Sequence, residues 1–359
     1  MPFFATHFFS THCPHIESTV SNTVIDNTNN SPAQLGEATP AHRFCLAPMM
    51  DWSDRHCRYF WRLMTGHSLL YTEMITTGAL LYGDAERQLA FDPSEHPLAV
   101  QLGGSDREAL AHCALRCQQA GYDEINLNVG CPSERVKSGA FGACLMNQPQ
   151  RVADAIKAMR DCVDIPVTIK CRIGVDDNDS YEALCEFVEI NRAAGCERFI
   201  VHARKAWLSG LSPKQNRDIP PLDYPRVYQL KRDFPSLTFI LNGGLKQLAD
   251  CEQALQQLDG VMIGREAYQN PYLLQSVDEK IFQRPSERQS RQQIGLRYAE
   301  YIERELQAGT RLNHMTRHAL GLFNGVSGAR RYRRQISEQA HQRGAGVEVF
   351  LSALEKVND

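Results

Sequence analysis

Eight short apolar segments recur between residues 44 and 264, and this alternation with helix-like stretches constrains the fold more than any other feature of the chain. The segments are 44–50, 69–75, 98–103, 124–128, 166–172, 198–203, 238–242 and 260–264. Stretches with helical periodicity lie between them at 53–64, 106–120, 150–162, 181–194, 224–234 and 247–258. Eight units, mostly in strand-then-helix order over roughly 220 residues, predict an α/β chain folded as a (β/α)₈ TIM barrel. An open doubly wound sheet is the alternative, but no GxGxxG turn follows the first strand.

A barrel makes an internal demand: functional side chains belong at the C-terminal ends of the strands. Polar or special residues do cluster there: Pro48 and Met49, Glu73, Gln101, Asn126 and Asn128, Lys170 and Arg172, His202, Asn242, then Gly264 with Arg265. Polar groups closing otherwise apolar strands are local inconsistencies of the sort that mark a site.

The seventh and eighth strand ends read Asn242-Gly243-Gly244 and Gly264-Arg265. Loops after these strands often bind phosphate through backbone N–H groups and a short helix N-terminus, and arginine adds a bidentate contact. Either turn alone reads as an ordinary tight turn; both together favour a phosphorylated ligand. Lys170 and Arg172 alternate in one strand and so face the same way. Inward, Lys170 would place positive charge beside an electron-accepting ring; outward, its stem would cover apolar surface. His202 alone reads more simply as a structural histidine.

Both ends of the chain differ from this middle. Residues 1–40 are rich in Ser, Thr, Asn and Pro and are expected to be a loosely attached extension, with the barrel over 41–284. From 285 to 359 no strand signal appears. Ile294, Tyr298, Tyr301, Ile302 and Leu306 mark one helix face, Leu320, Phe323 and Val326 suggest a second helix, and 347–357 a third. This tail carries twelve Lys and Arg against eight Asp and Glu, a net of +4, which leaves −7 of the total −3 to the rest. A basic tail on an acidic body points to a polyanionic partner. Arg330, Arg333 and Arg334 share one helical face.

The twelve cysteines include no CxxC pair, so no zinc site, other metal site or disulfide scaffold is expected. Reduced thiols, together with the absence of any Lys or Arg before Arg43 and of a long apolar run, predict a cytoplasmic protein without a membrane span.

The most specific stretch is Leu127-Asn128-Val129-Gly130-Cys131-Pro132, followed by Val136, Gly139, Gly142 and Leu145-Met146. Here the chain resembles the tRNA-dihydrouridine synthases, flavin enzymes that reduce uridine in tRNA. Ala47-Pro48-Met49, Gln101, Lys170 with Arg172, His202-Ala203-Arg204, Asn242-Gly243-Gly244 and Gly264-Arg265 fall in that family's order, over about residues 42–345. The segment from Arg204-Lys205-Ala206-Trp207 to Leu211-Ser212-Pro213-Lys214-Gln215-Asn216 looks like the A-type subfamily, which acts on uridines 20 and 20a of the D-loop. The resemblance implies an FMN prosthetic group. Its ring would lie against Pro48-Met49-Met50, with Gln101, Lys170 and His202 contacting the ring or ribityl chain and the phosphate on Asn242-Gly243-Gly244 and Gly264-Arg265. NADPH, with NADH as the other option, would reload the flavin.

Reducing the uracil C5=C6 bond takes a hydride at C6 and a proton at C5. Reduced flavin N5 can give the first, and a positioned acid must give the second. With an unperturbed pKa of ~8.5, cysteine is largely protonated at neutral pH, so Cys131 is the expected acid. A nucleophilic thiolate is its competing role. Asn128 would orient the base, and Lys170 and Arg172 would stabilise charge on its carbonyl. Drawing a stacked uridine out of folded RNA costs a few kcal/mol, offset by contacts elsewhere. Arg330, Arg333 and Arg334 on the tail, and Arg204, Lys205, Lys214 and Arg217 after strand six, are the expected tRNA contacts; no obligate protein partner is indicated. Two other readings stay open: an FMN barrel that reduces a free pyrimidine, as dihydroorotate dehydrogenases do, and an RNA-binding module with secondary redox chemistry.

Overall fold

The computed structural model describes residues 39–133 and 140–357. Val136 and Gly139 of the glycine-rich stretch, and the N-terminal extension up to residue 38, lie outside the described residues. Eight parallel strands close on themselves: β1 Phe44–Leu46, β2 Leu69–Thr76, β3 Leu98–Gly103, β4 Glu124–Asn128, β5 Val167–Arg172, β6 Arg198–His202, β7 Thr238–Asn242 and β8 Gly260–Ile263. Each strand pairs with the next, and β1 closes on β8 with Cys45 opposite Met262. Helices return between strands and cover the outside: α1 Arg55–Arg62, α2 Arg107–Gln119, α3 Pro149–Arg160, α4 Tyr181–Ala193, α5 Tyr224–Asp233, α6 Leu248–Ala254 and the short α7 Arg265–Gln269. Polar N-caps start many of them; Asp54, Asp106, Ser180 and Asp223 each accept a backbone N–H of the first turn.

The expected barrel is present, with the first strand ending early. The apolar run to Met50 predicted seven residues, but Pro48 has no N–H for a ladder, and Met49 N donates to Ser53 Oγ at 2.8 Å to fold the chain into a loop.

Strand alternation divides the core in two. Outward-facing residues build the large cluster under the helices. Inside the barrel, Cys45, Leu69, Tyr71, Ala99, Ile200, Ile240 and Met262 pack together. The interior is not uniformly apolar, because β3, β4 and β5 contribute Gln101, Glu124, Asn126 and Thr168, all buried.

After residue 285 come α8 Arg291–Gln307, α9 Leu312–Ala319, α10 Ala329–Gln339 and α11 Val347–Leu354. The first and last match the expected periodicity, but the helix expected around Leu320, Phe323 and Val326 is the connection between α9 and α10. Leu322 and Phe323 are buried there, so the apolar residues are core without being helix. Gly325 and Gly328 take φ of +78° and +89°, the left-handed region that ends helices. The first two of these helices pack on α1, and the others pack on them, within one compact unit that starts at residue 39. His56 Nδ1 lies 2.6 Å from the Tyr301 hydroxyl, and the Tyr59 and Tyr301 rings stack at 3.9 Å. Among the described residues no helix is long and apolar enough to cross a membrane.

Candidate active site

A cleft of about 1060 Å³ opens at the C-terminal ends of the strands, the face where barrel enzymes place their sites. Pro48, Met49 and Met50 enter it from the β1 loop, Gln101 and Asn128 from β3 and β4, and Cys131 from the loop after β4. Lys170, Arg172 and His202 line it from β5 and β6, Asn242, Gly243 and Gly244 from β7, and Gly264 and Arg265 from β8. With Met74 and Thr76 from β2, all eight strand ends gather residues spread over more than 200 positions into one cavity.

The β1 loop is built by short-range bonds. Trp52 N and Ser53 N both donate to Met49 O, and Asp51 adopts a φ of +64° that aims its N–H at the Glu73 carboxylate. Glu73, one of the strand-end residues, thus holds the loop and does not line the cleft. Burial, together with Asp54 and Asp51 nearby, raises its carboxyl pKa.

Cys131 is partly exposed, and its Sγ lies 3.5 Å from Ser133 Oγ. Asn128 Oδ1 accepts the N–H groups of Gly130 at 3.2 Å and Cys131 at 3.0 Å, while its amide donates to Gln101 Oε1 at 2.8 Å. Asn128 therefore fixes the cysteine loop, a use that its expected role toward the base did not include.

Positive charge collects on the adjoining wall, built by β5 and β6. Lys170 Nζ donates to Asn242 Oδ1 at 2.9 Å; burial and then the charge of Arg172 bring its pKa down to about 8. Burial also lowers Arg172, to about 10, and pushes His202 well below the usual imidazole value, aided by Arg172 and Lys170. The His202 ring is thus neutral and able to accept or donate.

The structure gives three of the expected cations partners within the fold. Arg172 is buried, and its guanidinium serves backbone carbonyls: Nε donates to Gly130 O at 3.0 Å and Nη1 to Asn216 O at 2.9 Å and Lys205 O at 3.2 Å. It clamps the cysteine loop to the loop after β6. Arg204 donates to Pro220 O and Asp218 O, and Lys205 pairs with Asp179 at 2.8 Å with its ammonium over the Trp207 ring. Neither Arg204 nor Lys205 lines the cleft. Unsatisfied donors are costly to bury, so each found carbonyls or a carboxylate within the fold.

Arg217 lines the cleft and is exposed, whereas Lys214 is exposed but outside the lining. Arg330, Arg333 and Arg334 are exposed on α10, away from the cleft lining, and Arg334 is drawn to Glu338 at 2.8 Å. Two lining residues had no signal in the sequence. Asp218, well past the end of β6, pairs with Arg265 at 2.8 Å, and Ser133, directly after the motif's Pro132, approaches the thiol; neither residue type at its position signals that contact.

The turn after β7 fits a phosphorylated flavin. Gly243 has φ of +110°, and a Cβ there would stand 2.6 Å from His202 Cδ2; at Gly244, φ +75°, it would stand 2.4 Å from a Leu222 methyl. Only glycine lets backbone line the cleft at this point. Beside it, α7 begins at Gly264 with no side-chain cap. Bare backbone, a neighbouring arginine and a lysine deeper in suit a phosphate at the rim and an electron-accepting ring within.

Comparison with known proteins agrees. The family model described as Dihydrouridine synthase (Dus) matches residues 45–358. A tRNA-dihydrouridine(20/20a) synthase of Escherichia coli is 59% identical over 329 residues, covering 91% of this chain and 99% of that protein. The protein of the same description from Vibrio cholerae is 60% identical over 320 residues, covering 89% and 98%. Among solved structures, a 2-naphthoyl-CoA reductase bound to 2-naphthoyl-CoA superposes with a TM-score of 0.52 at 13% identity, over 67% of this chain and 51% of that one, a likeness of barrel alone. With barrel, cleft and sequence in agreement over nearly all of the described residues, the chain belongs to the dihydrouridine synthase family.

Proposed function

We propose that this protein reduces the C5=C6 bond of uridine in tRNA to 5,6-dihydrouridine, acting in the cytoplasm on D-loop positions 20 and 20a, with FMN as prosthetic group and NADPH as the electron source. The observation that carries this is the meeting, in one cleft, of the Cys131 loop with the Lys170–His202 wall and the Gly243-Gly244 turn. Pro48, Met49, Met50, Gln101, Lys170 and His202 would hold the flavin ring and ribityl chain, and Asn242, Gly243, Gly244, Gly264 and Arg265 its phosphate. When bound, FMN supplies a hydride equivalent for C6 of the uracil.

The protein's own residues do the rest. Cys131 Sγ gives its proton to C5, and the open mouth lets solvent return one to the thiolate. Lys170 supplies positive charge where the uracil carbonyl gains electron density. Arg172 acts by holding Gly130 O, and Asn128 by holding Cys131 N, so both fix where the sulfur stands. The helical segment 285–359 grips the tRNA body through exposed Arg330 and Arg333, with Arg217 and Lys214 nearer the mouth.

In Cys131→Ala, flavin content and reduction by NADPH are expected to persist while dihydrouridine formation falls by about 10²-fold or more, the usual weight of a general acid. Mass spectrometry of tRNA incubated with the variant checks this. Turnover at the native rate would remove Cys131 as the acid.

A further inference from the structure

Inside the barrel a row of polar side chains joins the floor to the cleft. At the floor, Glu124 is salt-bridged to Arg198 through Oε2. Its Oε1 accepts from the Tyr71 hydroxyl at 2.6 Å and from Thr168 Oγ1 at 2.8 Å. Asn126 Nδ2 donates to Thr168 Oγ1 at 2.9 Å, and Gln101 Nε2 donates to Asn126 Oδ1 at 2.8 Å. Asn128 Nδ2 then donates to Gln101 Oε1 at 2.8 Å, leaving Asn128 Oδ1 for Gly130 N and Cys131 N. Strand register makes the row possible, since Gln101, Asn126 and Thr168 are direct partners across β3, β4 and β5.

The row has a direction, and chemistry fixes it at one end. A carboxylate offers no donor, so the Thr168 proton must point to Glu124; the nearest other acceptor, Ile125 O, is farther at 3.4 Å. Thr168 then presents a lone pair, which turns the Asn126 amide so that its NH₂ faces Thr168 and its oxygen faces Gln101. Gln101 must in turn show its NH₂ to Asn126 and its oxygen to Asn128. Asn128 is left with its oxygen toward the cysteine loop. Each amide is set by its predecessor, and all are buried, so water offers no easy alternative.

We propose that Glu124, through Thr168, Asn126 and Gln101, is a positioning residue that fixes the amide orientation of Asn128 and thereby the placement of Cys131. This rests on the reading of Cys131 as proton donor. A glutamine at 124 would turn its oxygen to Arg198 and its NH₂ to Thr168. Thr168 would then donate to Asn126, every amide would rotate, and the Asn128 NH₂ would face the N–H groups of Gly130 and Cys131, donor against donor.

The test compares full-length, flavin-loaded Glu124→Gln, Thr168→Val and Thr168→Ser. One arm measures kcat and KM with tRNA; the other follows iodoacetamide alkylation of Cys131 against pH in the free protein, located by peptide mass spectrometry. For Glu124→Gln and Thr168→Val, kcat is expected to fall by about 10²-fold, the usual result of misplacing a reacting group by an ångström, while KM for tRNA stays within about threefold. The alkylation profile of Cys131 is expected to move in both variants, and Thr168→Ser, which keeps the hydroxyl, to match the native enzyme in both arms. Should Glu124→Gln fail to fold, the near-isosteric Thr168→Val decides. Native kcat with an unmoved alkylation profile in Thr168→Val overturns the relay, as does equal loss in Thr168→Ser. Cys131→Ala judges the parent reading separately, since the alkylation arm needs no turnover.

Discussion

Lys170 carries its charge on a short lease: with a pKa brought down to about 8 by burial and by Arg172, it is cationic at neutral pH and loses its proton just above it. A cation in the cleft favours binding of FMN, whose phosphate makes it anionic, so flavin affinity is expected to weaken as pH rises through 8, by up to about tenfold per unit beyond it. Fluorescence titration of the flavin-free protein from pH 7 to 9.5 checks this, and Lys170→Arg, whose charge persists, is expected to flatten the curve. A flat native curve would contradict the assignment. At this scale the sequence showed which residues reach the strand ends, because period-two alternation and strand termini are local properties. It did not show what their polar atoms would find there. Arg172 reads as a free cation, yet its carbonyl partners come from Gly130, Lys205 and Asn216, which only closure of the barrel brings together.

Among the elements, α10 presents Arg330, Arg331 and Arg333 to solvent, while Tyr332 and Ile336 face inward. No carboxylate among the described residues pairs with these three, in contrast to Arg334. Neutralising Arg330 and Arg333 to Gln is expected to weaken tRNA binding and to reduce the slope of log K against log salt by somewhat less than one unit per lost phosphate contact. Filter binding across a salt series measures both, and flavin content should not change. An unaltered slope would remove α10 from the interface. Strands and barrel helices were legible to within a few residues, since each has one buried face and a turn on either side. The tail was less so. Leu320, Phe323 and Val326 have helical spacing but sit in a glycine-punctuated connection, because tertiary burial fills positions that helix propensity alone does not explain.

Over the whole molecule, the joint between barrel and tail helices is polar and buried. Asp54 caps α1 and receives Arg317 at 2.6 Å and His318 at 3.0 Å. Burial alone would raise its carboxyl pKa, but the bonds from His318, Cys57 N and Arg317 bring it well below the carboxylate range. His56, against Tyr301, is lowered to about 4, chiefly by burial. A base held neutral in the native state costs stability once the unfolded chain can protonate it. The loss therefore begins near pH 6.5 and is complete below about 4, reaching about 3 kcal/mol for His56 alone. Thermal unfolding followed by circular dichroism is expected to show the midpoint falling over this window, and His56→Gln, which keeps an acceptor for Tyr301, to fall less. A midpoint independent of pH between 6.5 and 4 would refute this. The same joint reaches the mouth of the cleft. Trp52, on its lip, stacks at 4.4 Å on Tyr268, whose edge meets His318. Scissors at residue 284 would therefore not trim this chain to a free-standing barrel: with His318, Arg317 and Tyr301 gone, the lip of the cleft at Trp52 and Tyr268 would lose its hinge-pin.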